Sequence, residues 1–127
     1  MNVNSVQPVS NYLKSMQQGK DGSRLASIRN VLMMGKKLSS GEMNYLQRYD
    51  PNLHNQAMSI SKERQAYEDA LQHSRSKAAA DYYHTFKLMQ IAGQLKHGGS
   101  EELQMRANAI QEAHREFVRS SKYASLK

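Results

Sequence analysis

Residues 77–95 read KAAADYYHTFKLMQIAGQL, from Lys77 to Leu95, and this stretch decides the fold. It holds no proline and a single glycine, Gly93. Ala79, Tyr82, Phe86 and Met89 recur at the spacing that aligns side chains on one helical face. Leu88, Ile91 and Leu95 form a second stripe, with Ala92 beside it. A helix at a surface needs one apolar stripe, whereas a helix with two is covered on two sides. The reading predicts a central helix with a neighbour on each flank, in an all-α bundle. No alternation of period two competes with it.

The flanking sequence supplies both neighbours. Asp50-Pro51 marks a helix start, because an Asp side chain accepts from free backbone N–H groups and Pro tolerates the first helical position. That helix runs to about His73, with Leu53, Ala57, Ile60, Arg64, Tyr67 and Leu71 inward in a heptad seam. Ser74-Arg75-Ser76 turns into the central helix, and Ser76 is its expected cap. Gly98-Gly99 ends it. Ser100 caps the last helix, whose first turn carries Glu101 and Glu102, favoured there by the helix dipole. Its expected seam is Leu103, Ala107, Ile110, His114, Phe117 and Ala124. Three helices over about 51–73, 77–97 and 100–123 with short links predict an antiparallel, up-down-up bundle.

Two short helices are expected before it, over about 23–34 and 39–49. Ser23 is the expected cap of the first, with Leu25, Ile28, Val31 and Leu32 inward, and Gly35 sits where a C′ glycine belongs. Ser39 and Glu42 match a capping box, in which each side chain satisfies a backbone N–H of the other, and Met43 and Leu46 are the inward residues of the second. Residues 1–22 are rich in Asn, Ser, Gln and Gly and read as a flexible tail, so 23–127 forms one helical domain. Within the tail, Val9, Tyr12, Leu13 and Met16 make one short amphipathic face, of the kind that docks in a groove.

The totals bound the function. Leu, Ile, Val and Phe make up 22 of the 127 residues, under the fraction of about 20% below which highly charged chains tend toward disorder. Eight Met and seven Tyr partly compensate. The core is therefore thin, and a partner or a second copy would supply missing burial. There is no Cys, which excludes disulfides and thiolate metal sites and favours the cytoplasm. No apolar run approaches the roughly 18 residues of a membrane span, and the start of the chain lacks the pattern of a secretory signal. The net charge is +7, and residues 1–50 hold seven Lys/Arg against three Asp/Glu, a bias toward anionic partners in general.

Asp50-Pro51-Asn52-Leu53, Glu63-Arg64, Tyr67, His114-Arg115-Glu116-Phe117 and Tyr123-Ala124-Ser125-Leu126 carry a resemblance. Over about residues 38–126 the chain resembles a family of small, uncharacterised all-helical proteins from Gram-positive bacteria. The resemblance implies one complete helical unit and brings no activity with it. Ser74 stands where that family commonly has Cys.

Chemistry-bearing patterns are sparse. Five His invite a metal reading, but no H-x-x-x-H occurs, and Asp81-Tyr82-Tyr83-His84 is the nearest approach to a di-iron motif. Neither a metal nor another cofactor is expected. Arg64 and His114 interrupt two apolar seams; such residues specify which helix packs where, or an Arg lays its stem on the core with its head in water. No nucleophile–base motif and no phosphate-binding glycine loop is present, so no enzymatic activity and no small-molecule substrate are expected. Two function classes remain. One is a protein–protein interaction module, or self-association, using the tail face or an exposed patch at Met33, Met34, Met43 and Tyr45. The other is nucleic-acid binding through a helix-turn-helix-like arrangement, with Lys36, Lys37 and Arg48 on phosphates.

Overall fold

The structure is a computed structural model that describes residues 22–95 and 100–127. The chain divides into two units, Met1–Asn30 and Val31–Lys127. In the first unit the described residues are helical and Ile28 is buried. This is the start of α1, residues 22–33. Ser23 lies inside that helix instead of capping it, since the helical backbone already includes Gly22. The tail face at Val9, Tyr12, Leu13 and Met16 lies outside the described residues.

The second unit is all helical among its described residues. After the end of α1 come α2 (Ser40–Tyr49), α3 (Pro51–Gln72), α4 (Lys77–Leu95), α5 (Glu101–Val118) and the short α6 (Ser121–Ser125). Local chemistry sets these boundaries. α1 closes with Gly35 at φ +76, where the Gly35 N–H reaches the Leu32 carbonyl and the Lys36 N–H reaches that of Val31. That pair of bonds satisfies carbonyls the helix leaves free. At α2 the Glu42 N–H donates to Ser39 Oγ and the Ser39 N–H donates to Glu42 Oε1, the reciprocal capping box. Asp50 Oδ1 accepts from the Leu53 N–H at the start of α3, with Pro51 first in the helix. Ser76 and Ser100 cap α4 and α5 through the Ala79 and Leu103 N–H groups.

α3, α4 and α5 form the bundle. Glu63 meets Lys87 and Tyr67 meets His84, so α4 runs back along α3. His84 stacks on His114 while Gln94 accepts from Arg106, so α5 runs back along α4. The core joins Tyr67 and Leu71 of α3, Ala80 and Ile91 of α4, and Ile110, Ala113 and Phe117 of α5. The helix with a neighbour on each side is α5, which packs on both α3 and α4. The sequence reading assigned that place to α4. Its stripe of Ala79, Tyr82, Phe86 and Met89 is in fact exposed, and its buried residues are Ala80 and Ile91, with Leu88 partly covered. α5 suits the middle because Ala109 and Ala113 are small enough to let helices approach closely.

Other inward positions also shift. Met105 and Ala113 are buried on α5, where Leu103 and His114 were expected; Leu103 and Ala107 pack at the margin and Ala124 is exposed. The last helix stops at Val118, and α6 begins anew with Ser120 as its cap. The Tyr123 ring sits edge-on to Phe117, and the Lys77 N–H donates to the Lys127 carbonyl, which closes this end of the bundle. No helix among the described residues is long and apolar enough to cross a membrane.

Candidate functional site

Three places in Val31–Lys127 concentrate chemistry. The first is Arg64, only 3% exposed. Its guanidinium does not snorkel to water, as the sequence reading allowed. Nη1 donates to the Gly35 carbonyl, Nε to Glu68 Oε2 at 3.1 Å, and Nη2 to Glu116 Oε1 at 3.1 Å. Arg64 thus ties the turn after α1 to α3 and α5. Asn108 Nδ2 reaches the Met33 carbonyl of the same turn. A groove of about 180 Å³ opens beside it, lined by Leu32, Lys36, Leu38, Met43, Ile60 and Glu68 among others. At the preceding position of α3, Glu63 receives both Nε and Nη2 of Arg106, at 2.7 and 2.8 Å, and Lys87 Nζ at 3.0 Å. The Arg106 hydrogen bonds hold the Glu63 carboxyl below its ordinary range against the opposing effect of burial. Both networks satisfy their charges internally and read as fasteners between helices.

The second place is a polar seam between α4 and α5. The His84 and His114 rings stack with centroids 3.8 Å apart and planes 13° from parallel. The Tyr67 hydroxyl lies 3.0 Å from His84 Nδ1. Burial pushes the Tyr67 phenol well up, so it keeps its proton beside His84. Burial also pushes both imidazoles below their ordinary value, so both are neutral at pH 7. His114 Nδ1 is buried without a hydrogen-bond partner, and Nε2 is 3.8 Å from Asp81 Oδ1, too long for a hydrogen bond. Face-to-face rings do not converge on one ion. Among the described residues, no group of three or more His, Cys, Asp or Glu could hold a metal.

The third place is the outer face of α4. Tyr82 is 73% exposed, Phe86 54% and Met89 67%. Tyr82 and Phe86 rings stack on one another with centroids 6.5 Å apart, so the residues form one continuous apolar surface. From Tyr82 to Gly93 every exposed residue is uncharged.

No protein-family model, curated protein or solved structure matches the chain. The resemblance to a Gram-positive helical family therefore rests on the residues that suggested it.

The residues expected to bind a partner do not form the patch foreseen. Met34 is exposed, but Met33, Met43 and Tyr45 are each partly covered. Tyr45 packs its ring on Tyr49 at 4.6 Å. Lys36, Lys37 and Arg48 are exposed, as the nucleic-acid reading requires. Two of them are engaged: Lys37 pairs with Glu68 at 3.5 Å, and Arg48 lies over the Tyr49 ring. The α4 face was read correctly as a stripe and wrongly as buried. The signal that could have flagged it is the lack of charge among its flanking residues, since a covered seam usually has charged flanks that face solvent.

Proposed function

We propose that the chain is a non-enzymatic helical protein–protein interaction module, and that α4 presents its contact surface. One observation carries the reading: Tyr82, Phe86 and Met89 stand in solvent on one uncharged helical face. Leaving such side chains wet forgoes about 25 cal/mol for each Å² of apolar surface, a cost that a partner removes. Tyr and Met suit contact surfaces, because Tyr pairs apolar area with a polar tip and Met repacks readily. The charged networks at Arg64 and Glu63 support the same reading, since they fix helix positions by pairing charges between helices. A chain without cysteine suits a reducing cytoplasm, where we propose it works.

The second reading is nucleic-acid binding, favoured by the exposure of Lys36, Lys37 and Arg48 around the turn between α1 and α2. Arg48 is the only basic residue of α2, which weakens it as a recognition helix. A gel-shift titration with short duplexes at low and moderate salt separates the two. Phosphate-dominated binding loses affinity steeply as salt rises. The interaction reading expects no shift even at low salt, whereas a salt-sensitive shift abolished by substituting Lys36 and Lys37 together would replace it.

A further inference from the structure

We propose that a second copy of this chain covers the α4 face, with the two α4 helices packed antiparallel about Phe86. The inference rests on the interaction-module reading and names its partner. Ala79, Tyr82, Phe86, Met89 and Gly93 follow alternating spacings of three and four, a seam of the coiled-coil type, and all are exposed. The ends of the seam are symmetric about Phe86, while Tyr82 falls opposite Gln90. Ala79 and Gly93 lie at equal distances on either side of Phe86. In an antiparallel pair centred on Phe86, each Ala79 faces the Gly93 of the second copy, so both ends of the interface are small and the helices approach closely. Tyr83 comes opposite Met89, a favourable contact of sulfur with an aromatic edge. An isologous interface requires this self-complementarity.

Charge points to the same occupant. The chain carries +7, so two copies repel over most of their surface. The exposed residues from Tyr82 to Gly93 carry no charge, and an identical copy meets the least repulsion there. A cationic or acidic partner would find no charge on this face to pair with. Area sets the strength. Given their exposures, Tyr82, Tyr83, Phe86 and Met89 offer roughly 450 Å² per copy, so a pair covers on the order of 1,000 Å², near the lower bound for a specific interface. The dimer should accordingly be weak and reversible, with a dissociation constant on the order of 10 μM.

Sedimentation equilibrium of the full chain from about 5 to about 500 μM tests this. The expected result is a mass that climbs from one chain toward two across the range. Phe86→Glu, which sets two carboxylates near the axis, should raise the dissociation constant at least tenfold with the helical circular dichroism unchanged. The absence of native Cys permits a second readout. Phe86→Cys should cross-link to a disulfide dimer under mild oxidation, whereas Ser59→Cys, exposed on α3, should not; this arm stands even if Phe86→Glu fails to fold. A chain that is monomeric at the highest concentration overturns the proposal and leaves a different protein as the occupant of the face. A dimer that Phe86→Glu leaves intact and Phe86→Cys does not trap overturns the α4 surface itself, and the interaction reading built on it.

Discussion

Arg64 brings a full charge into a site that water barely reaches, and its three partners compensate that burial only as a set. Removing the guanidinium leaves the Gly35 carbonyl short of a donor and relaxes the link to Glu116. Breaking a buried charged pair typically costs about 3 kcal/mol, and Arg64→Ala should lower stability by about that much in urea denaturation. Arg64→Lys should recover only part, because one ammonium cannot span three acceptors held at a guanidinium's geometry. The imidazole stack behaves differently, because it is neutral when folded. Both pKa values are depressed by burial, so the unfolded chain binds more protons than the folded one below the ordinary value of 6.5. That stability is present above pH 6.5 and is lost as pH falls through the depressed folded values. The neighbours do not cancel the effect: Asp81 opposes it from the edge, Tyr67 is neutral, and Arg115 and Arg119 line the adjoining cleft with positive charge. The melting temperature should fall between about pH 7.5 and 5.5, and His114→Gln should flatten that slope. The Glu63 carboxyl acts in the same direction but lies below 4.5, so the two windows separate in a pH series. A flat melting profile in both proteins would show that the stack does not govern the acid limb.

The starts of α2, α3, α4 and α5 were legible in the sequence because capping is local, whereas the start of α1 and the end of α5 were not. Ser39 with Glu42, Asp50, Ser76 and Ser100 each bond backbone N–H groups within three residues, and no distant contact is needed to place them. Which apolar stripe is covered was not legible in the same way. α4 carries two stripes of similar composition, and the choice between them depends on what α5 presents. The small Ala109 and Ala113 let α5 sit between two helices, and alanine gives almost no signal in an apolar pattern. The His84–His114 stack was hidden for a related reason: it appears only once the antiparallel register of α4 and α5 is fixed. Gly35 marks the opposite case, where local and distant demands agree. Its φ of +76 is the left-handed region that favours glycine, and a Cβ there would strike the backbone of Asn108. Flexible side chains can yield, but the α5 backbone cannot. Gly35→Ala should therefore destabilise by at least about 2 kcal/mol, more than the left-handed penalty of about 1–2 kcal/mol alone. Gly41→Ala, in α2 with only the Ser39 hydroxyl nearby at 3.9 Å, should be neutral or stabilising and serves as the control. Equal effects at the two positions would mean that the turn after α1 does not depend on its contact with α5.

At the scale of the molecule the chain buries its few large aliphatic side chains, Leu32 and Leu46 before the bundle and Leu71, Ile91 and Ile110 within it, and it leaves aromatic and Met surface outside on α4. A thin core and a wet apolar face are two sides of one allocation. The three-helix unit closes through Ile91, Ile110 and Phe117, and what remains on α4 is available for association. Stability and association are then linked by mass action, because a copy that binds the folded chain and not the unfolded one raises the apparent stability. At a protein concentration ten times the dissociation constant the gain is about 1.4 kcal/mol. For a domain of this size that corresponds to a rise of very roughly 5 °C in melting temperature. The full chain should therefore melt several degrees higher at a few hundred micromolar than at a few micromolar, by calorimetry at one scan rate. Phe86→Ser should melt at one temperature across the same range. It should also match the parent chain at the dilute end, since Phe86 contributes its exposed ring to the partner and little to the core. A parent chain whose melting temperature ignores concentration would separate the exposed face from stability. Phe86→Ser that melts lower even when dilute would return α4's outer stripe to the fold, where the sequence first placed it.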